Sequence, residues 1–260
     1  MSLVHPAAER GYTAEAQAYA RGRPGYPAEL LPWLESALGL EAGRVAVDLG
    51  AGTGKFTRLL ARTGADLTAV EPVEPMRARL AADLPQVRAL AGTAEALPLQ
   101  AGEADAVVCA QAFHWFATEA ALAEMHRVLK PGGRLGLVWN VRDESVDWVA
   151  AMTEIITPYE GDAPRFYKGD WRRPFETGRW FDAPVLTRFV HAHVGSVQEV
   201  LIDRSLSVSF IAALPADEKA RVEARLRALA AEHPALRGRT TLSFPYVTEA
   251  YVCMRKDAAS

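Results

Sequence analysis

From about position 28 to 140 the chain alternates between two hydrophobic rhythms. Residues 28–39, AELLPWLESALG, place apolar side chains at helical spacing and end at Gly39, a residue suited to stopping a helix. RVAVDLG then reads as a strand, GKFTRLLARTG as a helix closing at Gly64, DLTAVEP as a second strand and EPMRARLAADLP as a helix. VRALAGTAEALP holds a short third strand and ADAVVCAQAF a fourth, before the helix TEAALAEMHRVLKPGG and a fifth strand, RLGLVWN. Short apolar strands separated by helices of roughly 10–15 residues predict an α/β fold on a parallel, doubly wound sheet.

The flanking regions break that rhythm. Residues 1–40 open with spaced tyrosines and YARGRPGYP, whose prolines predict a helix that stops and an irregular crossing. Residues 41–140 form the alternating core. Residues 141–182, rich in Trp, Tyr, Pro and charge, read as a cap inserted over the carboxyl edge of the sheet, where ligands of such sheets lie. Residues 183–260 carry the remaining strands, VLTRFVHAHV and TTLSFPYVTEAYVCMRK, with a broken helical stretch and a charged helix at 216–233 between them.

Composition narrows the classes. Of 260 residues, 50% are hydrophobic and 23% charged, as in ordinary globular proteins. A net charge of −3 gives no global case for nucleic acid, and no apolar run approaches the ~20 residues of a membrane helix. No export signal is read at the N-terminus, so a cytoplasmic location is expected. Cys109 and Cys253 lie in apolar runs without metal-ligand spacing and read as buried reduced thiols. No metal is expected, and a monomer or homodimer acting on a small molecule is anticipated.

Chemistry enters at VAVDLGAGTGKFTRLL. The loop fails as GxxxxGK[ST], because Leu49 stands where the first glycine belongs and Phe56 follows Lys55. It fails as GxGxxG, since Gly50, Gly52 and Gly54 are spaced GxGxG. Asp48 at the strand end would repel a pyrophosphate and welcome a cation. The turn therefore points to a nucleoside ligand that carries positive charge and no phosphate. Glu71, at the tip of the second strand in AVEP, stands where a ribose-binding carboxylate is needed.

VDLGAGTG resembles the first motif of class I S-adenosylmethionine-dependent methyltransferases. More narrowly, YARGRPGYP, EPVEPM, QAFHWF and RSLSVSFIAALP resemble the trans-aconitate methyltransferase-like subgroup, a methyltransferase type 11 domain. The resemblance implies a Rossmann-like sheet of seven strands, mostly parallel with the last antiparallel, and a helical cap from the C-terminal half. It implies S-adenosylmethionine as cofactor, with S-adenosylhomocysteine as product. The methionyl part would lie over Gly50, Ala51, Gly52, Thr53 and Gly54, with Asp48 helping to hold its ammonium group. Pro72 and Met76 would flank adenine. The family usually reads GDAEALPF after the third strand, whereas this chain reads GTAEALPL. Thr93 thus replaces an aspartate, so the adenine contact would be weaker, or would shift to the backbone of Ala94 or to Glu95. Ala110 and Gln111, at the end of the fourth strand, would face the cofactor and the transferred methyl. Tyr12, Tyr19 and Arg23 belong to the segment that would fold over the cofactor, with Arg23 near its carboxylate.

Methyl transfer from a sulfonium asks mainly for alignment and exclusion of water. His114, between Phe113 and Trp115 at a strand end, has three readings: general base, substrate contact, or packing. Phe113, Trp115, Phe116 and Trp139 are candidate walls of an acceptor pocket. His191 and His193 share a strand face without a third ligand and read as non-functional. RFYKGDWRRPF (165–175) reads as a solvated loop, a gate for an acidic substrate, or an RNA contact. The expected activity is methylation of a small molecule such as a carboxylic acid. Methylation of a quinone or other aromatic, or cofactor binding without catalysis, are the competing readings.

Overall fold

The computed structural model describes residues 24–257. Tyr12, Tyr19 and Arg23 lie outside them. Helix α1 (Leu30–Leu38) ends at Gly39, whose φ of 67° is the left-handed conformation a helix-stopping glycine supplies. The alternating core follows: β1 (Val45–Leu49), α2 (Thr57–Leu60), β2 (Asp66–Val70), α3 (Glu74–Asp83), β3 (Arg88–Leu90), β4 (Ala104–Ala110), α4 (Glu119–Val128) and β5 (Leu129–Arg142). The C-terminal part adds α5 (Asp147–Ile156), β6 (Val185–Ser196), the short helices α6 (Arg204–Leu206) and α7 (Ser209–Ala212), α8 (Ala216–Glu232) and β7 (Thr241–Met254).

The seven strands form one sheet in the order β3-β2-β1-β4-β5-β7-β6. Pairings from β3 through β5 are parallel, whereas β7 runs antiparallel to both β5 and β6. The mostly parallel sheet with an antiparallel last strand is therefore as expected. β1 is central, with Asp48 opposite Ala69 on one side and Val108 on the other. A strand covered on both faces must be apolar throughout, and Asp48 is the one exception in VAVDL.

Helices cover the two faces with separate cores. On one, Val47, Val107 and Leu137 meet Leu122 and Met125 of α4, whose first turn is capped by Thr118 accepting from the Ala121 N–H at 3.0 Å. On the other, Ala46, Val108 and Val138 pack against Leu30 and Leu34 of α1 and Leu60 of α2. A third cluster joins Trp148 and Val149 of α5, Val222 and Leu226 of α8, and Phe244 and Tyr246 of β7. That cluster is the helical cap of the C-terminal half.

Two stretches differ from the sequence reading. The helix after the glycine loop is one α-turn that tightens into a 3-10 turn, Ala61–Thr63, before Gly64 stops it. RFYKGDWRRPF is a solvated loop only in part: its 3-10 turns bury Trp171 at 1% exposure against Phe166, with Arg172 stacked over the indole at 4.3 Å, while Tyr167, Lys168, Asp170, Arg172 and Arg173 stay exposed. Burial of the Trp171 indole anchors the stretch to the core and leaves its charges in solvent.

Candidate active site

Two adjoining cavities open at the carboxyl ends of the parallel strands. The first is walled by Asp48 to Thr53, by Glu71, Pro72, Val73 and Met76, by Gly92 to Glu95, and by Ala110, Gln111 and Ala112. Thirteen of the sequence-predicted positions are thus brought together: Asp48, Gly50, Ala51, Gly52, Thr53, Glu71, Pro72, Met76, Thr93, Ala94, Glu95, Ala110 and Gln111. Trp115 also lines it.

The glycine turn explains its own spacing. Gly50, Gly52 and Gly54 all have positive φ, at 72°, 58° and 80°. A methyl group on Gly50 would stand 2.7 Å from the Ala112 Cβ, so β1 and the turn after β4 touch there. Gly54 has a different task from the one expected. A methyl there would meet Leu80 Cγ at 3.0 Å and Leu84 Cδ1 at 3.1 Å, so Gly54 lets the turn pack on α3 and does not line the cavity. Around Gly52 the nearest atom is Met76 Sδ at 4.0 Å, which leaves the backbone open to the cavity.

Two buried carboxylates face this turn. Asp48 Oδ2 accepts from the Thr57 hydroxyl at 2.6 Å, while Oδ1 is buried with no hydrogen-bond partner among the described residues. Burial above all, then the nearby Glu71 charge, raises the Asp48 pKa to about 7, against the lowering effect of Thr57. Glu71 accepts from the Gly52 N–H at 2.8 Å through Oε2 and from the Val73 N–H at 2.9 Å through Oε1. Burial raises its pKa too, and those two backbone bonds and Arg77 oppose it. Each Glu71 oxygen keeps a lone pair for a hydroxyl. Thr93 Oγ1 is a second buried oxygen with no partner among the described residues.

The second cavity adjoins the first at Gln111, Trp115, Asn140 and Arg204. His114, Trp139, Phe166, Tyr167 and Phe210 supply its aromatic walls, and Arg142, Arg165, Glu144 and Glu160 its other charges. Glu160 is held by Tyr167 Oη at 2.6 Å, Lys168 at 2.9 Å and Arg165 at 3.5 Å. Arg165 lies over the Phe210 ring at 4.4 Å and the Trp115 ring at 5.5 Å. Of the predicted wall residues, Phe113 is corrected: it is fully buried, edge-on to Phe116 at 5.9 Å and to Trp171 at 6.5 Å, and supports the walls from the core. Phe116 lines the first cavity, not the second.

The rim carries residues that sequence reading missed. Asn140, at the end of β5, donates through Nδ2 to the Gly25 carbonyl at 2.8 Å and accepts from Thr248 Oγ1 at 2.6 Å. It thereby fastens the crossing that bears Pro24 and Tyr26, both lining the first cavity, with Tyr26 edge-on to Phe56 at 4.8 Å. Arg204, buried, lines both cavities and donates through Nε to the Tyr246 hydroxyl at 3.0 Å. His191 and His193 stand outside both cavities. The His191 ring stacks on Tyr246 and its Nε2 lies 3.3 Å from Asn140 Oδ1. Among the described residues no cluster of His, Cys, Asp or Glu has metal-binding geometry, and no helix is long and apolar enough to cross a membrane.

Comparison with known proteins places this geometry among relatives. Residues 47–137 match the methyltransferase domain family. Over 242 residues the chain is 43% identical to the uncharacterized methyltransferase Rv3342 of Mycobacterium tuberculosis, covering 93% of each chain. It is 37% identical over 241 residues to the uncharacterized methyltransferase-like protein C25B8.10 of Schizosaccharomyces pombe, covering 92% of this chain and 93% of the other. The fold is shared with the YcgJ protein of Bacillus subtilis at a TM-score of 0.55 and 19% identity, over 89% of this chain and 100% of the other.

Proposed function

The chain belongs to the methyltransferase family, and we propose that it transfers the methyl group of S-adenosylmethionine to a small-molecule acid. One observation carries the cofactor assignment. Asp48 places a buried, partly unsatisfied carboxylate beneath the glycine turn, where an ammonium group is welcome and a phosphate is repelled. Glu71 is positioned to accept ribose hydroxyls, and Pro72 and Met76 to enclose adenine. Thr93 offers the adenine edge a hydroxyl where the family's usual aspartate offers a carboxylate. When bound, S-adenosylmethionine supplies an activated methyl group, whose bond to sulfur breaks with its electron pair passing to sulfur as the acceptor's lone pair forms the new bond.

The acceptor assignment rests on the second cavity. Its lining has three arginines, Arg142, Arg165 and Arg204, against Glu144 and Glu160, so the wall is net cationic. An anionic head would be drawn there, with its body against Trp115, Phe166 and Phe210. The same aromatic walls support a second reading, a flat aromatic or quinone acceptor.

Calorimetry with S-adenosylhomocysteine, S-adenosylmethionine and a nicotinamide dinucleotide tests the first cavity. Heat with the first two and none with the third is the expected result, and the reverse would refute the assignment. Tritiated-methyl transfer across a panel of mono-, di- and tricarboxylic acids and of quinols tests the second. Product from the acids and none from the quinols is expected. Cofactor binding without product from any class would favour an idle binding protein.

A further inference from the structure

β6 (Val185–Ser196) is the last strand of the sheet, paired with β7 along one side and with no strand on its other side among the described residues. Two contacts at its end show which backbone groups face outward. The Val197 N–H donates inward to the Thr240 carbonyl, continuing the β7 ladder, whereas the Ser196 N–H turns outward to Glu199 Oε2 at 3.0 Å. Backbone groups alternate sides along an antiparallel strand, so Leu186, Arg188, Val190, Ala192 and Val194 direct their N–H and C=O groups outward. We propose that this edge joins the same edge of a second copy of the chain, antiparallel about a two-fold axis at Val190, so that the two sheets become one.

The edge lacks the features that keep a bare strand from pairing. VLTRFVHAHVGS contains no Pro, Lys, Asp or Glu, and its one arginine, Arg188, is ion-paired with Glu249 of its own sheet at 2.9 Å. Val190 and Val194 are 81% and 64% exposed, and the β7 residues in register with Val190 and Ala192 are Val247 and Pro245. The exposed face is thus apolar across two strands. At the far end Glu199 also accepts from the Ser196 hydroxyl at 2.8 Å, which closes the edge there. The open stretch runs from Leu186 to Val194, and Val190 is its midpoint.

A second copy fits this stretch because the strand matches itself. An axis at Val190 pairs Leu186 with Val194, Arg188 with Ala192 and Val190 with its own equivalent on one face. On the other face it pairs Thr187 with His193 and Phe189 with His191. No histidine meets a histidine, and the two Arg188 side chains start about 14 Å apart along the ladder, beyond the screening length. The pairing closes about ten backbone hydrogen bonds, one donated by each outward-facing residue of either copy. A foreign strand could use the same backbone groups, but the side-chain match about Val190 belongs to the strand and its own copy. No residue of β6 lines either cavity, so the interface can be altered without touching the candidate site.

The test is sedimentation velocity on the full-length protein between about 1 and 100 μM. Wild type is expected to pass from monomer to dimer over that range. Val190→Lys sets two like charges opposite each other across the axis and is expected to remain monomeric. Val190→Thr keeps a β-branched residue without charge and is expected to keep the dimer. Val190→Cys tests the register: directly opposed residues of this kind lie about 5.5 Å apart at Cα, within disulfide reach, so mild oxidation should give a covalent dimer. Val185→Cys, at a position 62% exposed but off the axis, should give none, and the native Cys109 and Cys253 are buried. A wild type that stays monomeric, a dimer that survives Val190→Lys, or no cross-link at Val190→Cys overturns the proposal. A monomer whose outward β6 amides exchange slowly would show the edge covered by the protein's own chain and overturn it equally. If Val190→Lys does not melt cooperatively, the cysteine pair decides.

Discussion

Thr57 and Asp48, nine positions apart, are joined by a 2.6 Å hydrogen bond that occupies one carboxylate oxygen and leaves the other buried without a partner. The helix after the glycine turn thus orients the acid that ends β1. An isolated buried carboxylate resists ionisation, and a bound cation removes that resistance.

Cofactor affinity is therefore expected to depend on pH through Asp48. Its pKa in the free protein is about 7, and a ligand ammonium favours the ionised form. Affinity for S-adenosylhomocysteine should rise with pH up to and through that value, with proton release seen as buffer-dependent heats in calorimetry. Asp48→Asn should weaken binding and flatten this dependence.

The same shift acts on stability with opposite sign. Because the folded-state pKa lies above the ordinary 3.8, the Asp48 contribution is fully present below 3.8 and is lost as pH rises through about 7. Relative to wild type, ligand-free Asp48→Asn should gain melting temperature at about pH 8 and gain less at about pH 5. Equal differences at the two values would contradict the shift.

Glu71→Gln should lower cofactor affinity by about 10- to 100-fold, the cost of a charged hydrogen-bond pair. Both Glu71 oxygens accept from backbone N–H groups, so a carboxamide must turn its NH2 toward Gly52 or Val73. The melting temperature should fall as well, because the glycine turn loses its tie to β2. An unchanged melting temperature would mean that the tie contributes nothing to the fold.

The glycines of the turn separate fold from binding. Gly50→Ala places a methyl 2.7 Å from Ala112 Cβ at a φ of 72° and should destabilise the whole domain in thermal melts. Gly52→Ala meets nothing nearer than 4.0 Å and should cost only the left-handed backbone penalty of ~1–2 kcal/mol, yet its methyl projects toward the ligand. Strong loss of cofactor affinity with a largely retained melting temperature is the expected signature.

Asn140→Ala should speed dissociation of S-adenosylhomocysteine, measured by stopped-flow fluorescence. The side chain fastens Gly25 at one end and Thr248 at the other, holding Pro24 and Tyr26 over the first cavity. Asn140→Asp should be worse, since a carboxylate repels the Gly25 carbonyl.

Most of the first cavity was legible in the sequence because strand, turn and helix are contiguous there. Asp48, Gly50, Gly52 and Glu71 sit where the alternation of β1, β2 and their helices must put them, so spacing located them and the family resemblance implied their roles. Gly54 was misassigned because a glycine facing α3 and a glycine facing a ligand look alike in one dimension. Phe113 was misassigned because a single 3-10 turn has too few residues to show which face is buried. Asn140, Arg204 and the Trp139–His114 bond depend on contacts between residues 25 to 115 positions apart, which no local pattern encodes.

The late insertion of β7 beside β5 has a consequence for the nascent chain. The turn, acids and strands that build most of the first cavity are all synthesised by residue 140 and can assemble as the polypeptide leaves the ribosome. Trp139, by contrast, waits for Tyr251, which reaches its ring only when the final strand aligns Val252 with Gly136 and Tyr251 with Leu137. Most walls of the first cavity are thus in place before β7 is made, whereas the second is finished last, so a chain truncated before β7 is expected to lose the second cavity before the first.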